Sequence, residues 1–259
     1  MNEISNSKLK GLFWLSLGIL VAGLIAVGLP ALVAKIPWSI EKKWATRLGE
    51  TSAIESCSSP AGDAALKKLL ASVYPSLPND QQIDIDLHIA KGDVINAFAH
   101  LGGQIFIYQG LLSEADSADE IAGILAHEIS HVVHRHILQG LATRLLTFGA
   151  LHVIFSGQLG TGGEILNLLL NLRFTREQEA EADHEGLLRL QKASISTLGY
   201  AHFFKKLEKL SNIPDFISDH PPSELRAEEA KRINIEKPIE VLTQDEWQSL
   251  KHICKRITD

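Results

Sequence analysis

The chain has 259 residues, of which 45% are hydrophobic and 22% charged, and a net charge of −6. That length suits one folded domain with an appendage, and the acidic balance offers no basic stripe to neutralise phosphates, which argues against a nucleic-acid binder. No repeat of roughly 20–50 residues and no low-complexity tract is present, which sets aside solenoid and linker-rich architectures.

Lys10 and Lys35 bracket residues 11–34, a stretch without a charged side chain. As a helix it would extend about 36 Å, enough for a hydrocarbon core of about 30 Å. It is longer than the apolar part of a cleaved signal peptide, roughly 7–15 residues, and Leu32 disturbs the small-residue spacing before Ala34. Residues 1–35 are therefore expected to form one uncleaved N-terminal transmembrane helix. Residues 36–63 read as a linker punctuated by Pro37 and Ser58-Ser59-Pro60, and residues 64–259 as the folded domain.

Two signals bear on orientation and point in opposite directions. Lys35, Lys42, Lys43 and Arg47 after the span outnumber Lys8 and Lys10 before it, which by the positive-inside rule leaves the domain in the cytoplasm. The two cysteines, Cys57 and Cys254, stand near opposite ends of the soluble part, and a disulfide between them would suit an oxidising compartment. Glu55 and Ser56 before Cys57 lack the small apolar context of a lipid-attachment site. An extracytoplasmic domain is the expectation, with a cytoplasmic-facing one as the alternative.

Residues 64–73 read as a short amphipathic helix. Ile83, Ile85, Leu87 and Ile89 alternate with Asp84, Asp86 and His88, the period of a half-buried strand. After a turn at Lys91-Gly92-Asp93, residues 94–99 and 104–108 read as two more strands around Gly102-Gly103. Three short strands before a helix suggest a small antiparallel sheet beside helices. The glycine pair fits a hairpin turn or a close approach of a substrate strand to the sheet edge.

The next segment carries the chemistry. Ile121, Ile124, Leu125, Ile129 and Val132 recur at helical spacing, and Ser117, Asp119 and Glu120 form an N-terminal signal. Within that helix lies His127-Glu128-Ile129-Ser130-His131. Residues four apart share a helix face about 5–6 Å apart, so both imidazoles can grip one metal ion. Glu128, one residue along, is placed to take a proton from water rather than to ligate. His134 lies too far along the stripe to join them, and His136 falls on the opposite face of a continuous helix. Ile137 stands where the pattern with a third strand-borne histidine needs its ligand.

Residues 141–155 and 165–172 are strongly apolar but each is too short to span a bilayer, and Arg144 and His152 interrupt the first, so a buried helical hairpin is expected. A third ligand is available beyond it. Glu179 and Asp183 are four apart in Glu179-Ala180-Glu181-Ala182-Asp183, with Ala180 and Ala182 small enough for close helix packing. Glu179 would complete a His-His-Glu set, and Asp183 would accept the free ring N–H of a ligating histidine. Glu177 and Glu181 read as a solvated face, with Arg173 pairing Glu177. Residues 239–259 look helical and solvent-facing, with Trp247 and Leu250 as docking residues.

The combination resembles the M48 metallopeptidases. It rests on the HEISH and EAEAD segments together with Asn96-Ala97-Phe98-Ala99, Gly102-Gly103, Gly110-Leu111-Leu112 and His220-Pro221-Pro222 through Arg226. A single N-terminal span is similar to the Oma1-like branch rather than to HtpX-like proteins with several spans. The resemblance implies an α+β, mainly helical, zincin-like domain of gluzincin type. It implies one zinc ion per chain on His127, His131 and Glu179, with Glu128 as general base. It also implies Asp183 and Arg226 behind the site, and His220 near the metal as oxyanion stabiliser or resting-state cap. Family members often carry a proline before the glycine pair, where this chain has Ala99-His100-Leu101.

The expected function is a membrane-anchored zinc endopeptidase acting on polypeptides in envelope protein quality control. The alternative is a membrane-tethered chaperone or assembly factor whose zinc site is structural or silent, since His220 as a fourth ligand would close the coordination sphere. Oligomeric state is left open.

Overall fold

A computed structural model describes residues 8, 10–18, 23, 28, 32–48, 54–75, 83–144, 172–209, 216, 220 and 226–255. Its elements in chain order are α1 (Trp38–Leu48), β1 (Ser56–Cys57), α2 (Pro60–Val73), β2 (Asp86–Ala90), β3 (Ala97–Ala99) and β4 (Gln104–Tyr108). There follow α3 (Gln109–Glu114), α4 (Ala118–Val133), α5 (His136–Arg144), α6 (Arg176–Lys192), α7 (Leu198–Leu207), α8 (Arg226–Arg232) and α9 (Gln244–Lys251). The class is α+β and mainly helical.

The sheet is mixed, not antiparallel as the sequence suggested. Its order is β1-β2-β4-β3. β2 runs parallel to β4, with Leu87 opposite Ile105 and Ile89 opposite Ile107, whereas β3 is antiparallel to β4. The reason is the length of the β2–β3 connection. A two-residue turn would force the strands to pair, but residues 91–96 carry the chain past one strand slot to the sheet edge. The tight turn at residues 101–103 then returns β4 into the vacant slot. Gly102 and Gly103 have φ of 77° and 83°, the left-handed region that glycine adopts without strain. A Cβ on Gly103 would lie 2.1 Å from the Asp84 carbonyl oxygen and 3.1 Å from the Trp38 ring. The pair therefore serves the turn and its packing under α1.

Several elements lie where the sequence suggested a linker. α1, β1 and the start of α2 fall within residues 36–63. Ser59 caps α2, its side chain accepting from the Gly62 N–H, and Pro60 occupies the first turn. That places the helix start four residues before the one read from hydrophobic spacing, because proline is tolerated where its missing N–H has no intrahelical partner. α9 buries Trp247 and Leu250 against α2. Just beyond it, Cys254 is bonded to Cys57 of β1, with Cα atoms 4.9 Å apart.

α4 forms the centre of the core. Ser117 caps it by accepting from the Glu120 N–H, and residues 120–132 are all buried. α6 starts at a full capping box between Thr175 and Gln178. The two helices approach closely at Gly186, where a Cβ would sit 3.1 Å from the His127 backbone nitrogen. Ala182 is buried at this contact, but Ala180 points outward. The sequence reading assigned close packing to both alanines and missed Gly186, which lies one turn beyond Ala182 on the buried face.

No helix among the described residues is long and apolar enough to cross a membrane. The expected anchor at residues 1–35 and the apolar hairpin at residues 141–172 fall mostly outside the described residues.

The Cys57–Cys254 bond closes a loop with a sequence separation of 197. Its reduction is expected to lower unfolding free energy by about 3–5 kcal/mol through loop-closure entropy. Urea unfolding with and without reductant measures this, and identical midpoints would contradict it.

Candidate metal centre

Three parts of the chain bring the candidate ligands together. α4 presents His127 and His131, α6 presents Glu179, and a turn in which the His220 N–H bonds the Phe216 carbonyl presents His220. The Nε2 atoms of His127 and His131 are 3.0 Å apart. His220 Nδ1 lies 3.1 Å from His127 Nε2 and 3.1 Å from Glu179 Oε1. Glu179 Oε1 is 3.4 Å from His131 Nε2, and Oε2 is 3.6 Å from His127 Nε2. Four ligands held about 2.0–2.1 Å from one zinc ion in a tetrahedron stand about 3.3–3.4 Å from one another. The observed separations scatter around that value. Glu179 Oε2 is buried and lacks a hydrogen-bond partner among the described residues, as expected of an atom reserved for a cation. The residues fit a zinc ion.

Protonation states are consistent with ligation. Burial holds the His131 imidazole well below its usual range, so the ring is neutral. Burial pushes Glu179 upward, but His220, His131 and His127 outweigh it and hold the carboxyl below its ordinary value, ionised. A neutral His131 imidazole and an ionised Glu179 carboxylate are the forms that bind a metal.

Behind His127 stands a buried network. Burial raises Tyr200 well above its ordinary range, so its hydroxyl keeps its proton and donates to Asp183 Oδ1 at 2.5 Å. His127 Nδ1 lies 2.9 Å from the Tyr200 oxygen and 3.0 Å from Asp183 Oδ1. Both are acceptors, so Nδ1 carries the proton and Nε2 is left bare toward the metal position. Burial pushes Asp183 up, but His127 and Arg226 outweigh it and bring its pKa down to about 2. Arg226 donates from Nε to Asp183 Oδ2 at 2.8 Å, and its guanidinium lies 3.6 Å from the Phe204 ring centroid.

Glu128 is fully buried on the same helix. Burial raises its pKa, with His220 and His127 drawing it part of the way back. Neither carboxylate oxygen has a hydrogen-bond partner of good geometry among the described residues, and His220 Nε2 is 3.4 Å from Oε1. A buried carboxyl with a raised pKa, one residue from a candidate metal ligand, suits proton transfer near neutral pH.

His131 is held differently from His127. Its Nδ1 lies 2.9 Å from His136 Nδ1, and His136 Nε2 lies 3.1 Å from Glu181 Oε2. The Phe174 ring stacks on His131 with centroids 3.9 Å apart. The sequence reading put His136 on the far side of a continuous helix and Glu181 on a solvated face. α4 ends at Val133, Arg135 adopts φ 63°, and the chain doubles back so that His136 meets His131. Tyr200, Phe174 and His136 went unrecognised as neighbours of the site. Only His136 had a signal, as an imidazole close after the second histidine of the motif.

The chain matches the model of peptidase family M48 over residues 63–234. It is 32% identical over 183 residues to the metalloprotease LoiP of Escherichia coli (strain K12), covering 65% of this chain and 70% of that protein. It is 30% identical over 159 residues to the mitochondrial metalloendopeptidase OMA1 of Arabidopsis thaliana, covering 59% of this chain and 32% of that protein. With the beta-barrel assembly-enhancing protease of Yersinia pestis it shares 29% over 178 residues, 62% of this chain and 37% of that protein. The match thus spans only 32% and 37% of the last two relatives.

Asp183→Asn removes the charged acceptor of the His127 ring and leaves buried Arg226 with only the more distant Glu179 carboxylate, 3.9 Å away. Zinc affinity is expected to fall about 10–100-fold, read by competition with a chromogenic chelator. Unchanged affinity would show that Asp183 does not set the His127 ring.

Proposed function

Because this chain belongs to peptidase family M48, we propose that it is a zinc endopeptidase with His127, His131 and Glu179 as ligands and Glu128 as general base. The observation that carries the reading is the set of separations, 3.0 to 3.6 Å, among candidate ligand atoms drawn from distant parts of the chain. Bound zinc would supply Lewis acidity to the scissile carbonyl and to water. Glu128 accepts the proton of the attacking water and returns it to the leaving amine, and its raised pKa makes both transfers accessible. Asp183, Tyr200 and Arg226 keep His127 in the tautomer that ligates.

A peptide would lie along β3, one of the two edge strands of the sheet and the one next to Glu128, as one further strand. The Ala99 backbone lies close enough to influence the Glu128 carboxyl, which sets a bond held on that edge beside the base. His220 serves twice in this reading. Its Nδ1 caps the metal position at rest, and once displaced by substrate its ring stabilises the oxyanion.

The domain is proposed to be tethered by residues 1–35 with residues 64–259 outside the cytoplasm. The uncharged run at residues 11–34 supports an anchor, as do the exposed side chains of Leu12, Phe13, Trp14 and Leu15. The Cys57–Cys254 disulfide supports an oxidising compartment. The names of relatives, a metalloprotease and a beta-barrel assembly-enhancing protease, support polypeptide substrates, and a part in envelope protein quality control is proposed with them. A second reading, a tethered chaperone or assembly factor with a silent zinc site, is favoured by one observation: His220 Nδ1 stands where it would close the coordination sphere.

Glu128→Gln separates the two readings. The variant is expected to keep one zinc per chain while casein cleavage falls about 10²–10⁴-fold. Undiminished cleavage refutes Glu128 as base, and full complementation of a deletion strain by the variant favours the chaperone.

A further inference from the structure

We propose that His134, His136 and Glu181 form a second divalent-cation site, and that filling it weakens the first and shuts the peptidase off. The proposal rests on the reading of the first centre given above. One carboxylate faces two imidazoles with separate oxygens: Glu181 Oε1 lies 3.1 Å from His134 Nδ1, and Oε2 lies 3.1 Å from His136 Nε2. The three ligand atoms all lie within 4.8 Å of one another. His134 and Glu181 are 29% and 50% exposed, so solvent reaches the group and can complete a coordination sphere, whereas His136 is buried. Two imidazoles and one carboxylate suit zinc among the common divalent ions.

The backbone builds this arrangement at a cost. Between the two histidines Arg135 has φ 63°, a region unfavourable for a long side chain. It is held there from α1. Arg135 Nη1 pairs with Glu41 Oε2 at 2.8 Å, Nη2 donates to the Ile36 carbonyl, and the guanidinium lies over the Trp38 ring. The reversal at Arg135 brings the two imidazoles to 5.7 Å between centroids, both turned to Glu181. Strain that the surroundings enforce points to a use for the geometry it produces.

The coupling to the first centre follows from proton positions. Glu181 accepts from His136 Nε2–H, so His136 Nδ1 is bare and accepts from His131 Nδ1–H across 2.9 Å. That leaves His131 Nε2 bare for the first cation. A cation on His136 Nε2 displaces its proton, and the neutral ring then carries that proton on Nδ1. Two N–H donors now face each other. His131 loses the acceptor that fixes its tautomer, and binding at either centre disfavours the other by the same factor.

The test is a Zn2+ titration of the full chain, following bound zinc by equilibrium dialysis and casein cleavage in parallel. Wild type is expected to take up a second equivalent and to lose activity as it does so. His134→Asn, altered at a half-buried position outside the catalytic machinery, is expected to match wild-type activity at one equivalent. It should lose the second equivalent over the range where wild type takes it up, and need at least about tenfold more zinc for inhibition. Glu181→Gln should lose the second equivalent as well. Wild type saturating at one equivalent, or wild type and His134→Asn titrating alike, overturns the proposal. Glu179→Gln separates this from the first-centre reading. One equivalent that disappears on adding His134→Asn supports the second site. Retention of both equivalents refutes the first-centre reading alone, and uptake of none refutes the second site.

Discussion

The approach of α4 and α6 is the constraint on which the site depends. Glu179 belongs to one helix and His127 and His131 to the other, and their atoms come within 3.4 to 3.6 Å where Gly186 lets the two backbones approach closely. A methyl group there would stand 3.1 Å from the His127 backbone nitrogen, close enough that one helix must give by a few tenths of an ångström. The proposed coordination thus rests partly on a hydrogen atom standing where other residues have a side chain.

Packing of that kind buries charge, and the chain handles the charge in layers. Glu179 and Asp183 are each 2% exposed. An isolated buried carboxylate is costly, so each has a counterweight. Arg226 balances Asp183 from a ring-lined pocket. The imidazoles surround Glu179, with a cation proposed to complete its neutralisation. Asp183 and Tyr200 orient His127 while His136 and Glu181 orient His131. The two rings are therefore fixed from different sides by different chemistry. One side is closed and strongly ionic, and the other is half-open to solvent, where the second cation is proposed to bind.

What the sequence disclosed follows the range of the interactions concerned. Helix α4 and the shared face of His127 and His131 were legible because period and capping are local: Ser117 and the apolar repeat need no tertiary information. Glu179 and Asp183 stood out for the same reason, being one turn apart among small residues. Strand positions were close, but sheet order was not, because nothing local distinguishes a six-residue hairpin from a six-residue skip over one slot. α1 and the start of α2 lie in a stretch that reads as a linker because proline and serine mark a helix start as well as a break. His136 was misplaced for a tertiary reason: the positive φ of Arg135 is imposed by Glu41, Ile36 and Trp38, about a hundred residues away in the chain. Tyr200 and Phe174 reach the site through packing alone, which no spacing encodes.

The central claim is that one cation is held jointly by α4 and α6, and anomalous diffraction at the zinc edge tests it most directly. The predicted result is a strong peak about 2.0–2.1 Å from His127 Nε2, His131 Nε2 and a Glu179 carboxylate oxygen. A zinc-loaded crystal with no peak between the two helices, or with Glu179 turned away from it, would contradict the claim.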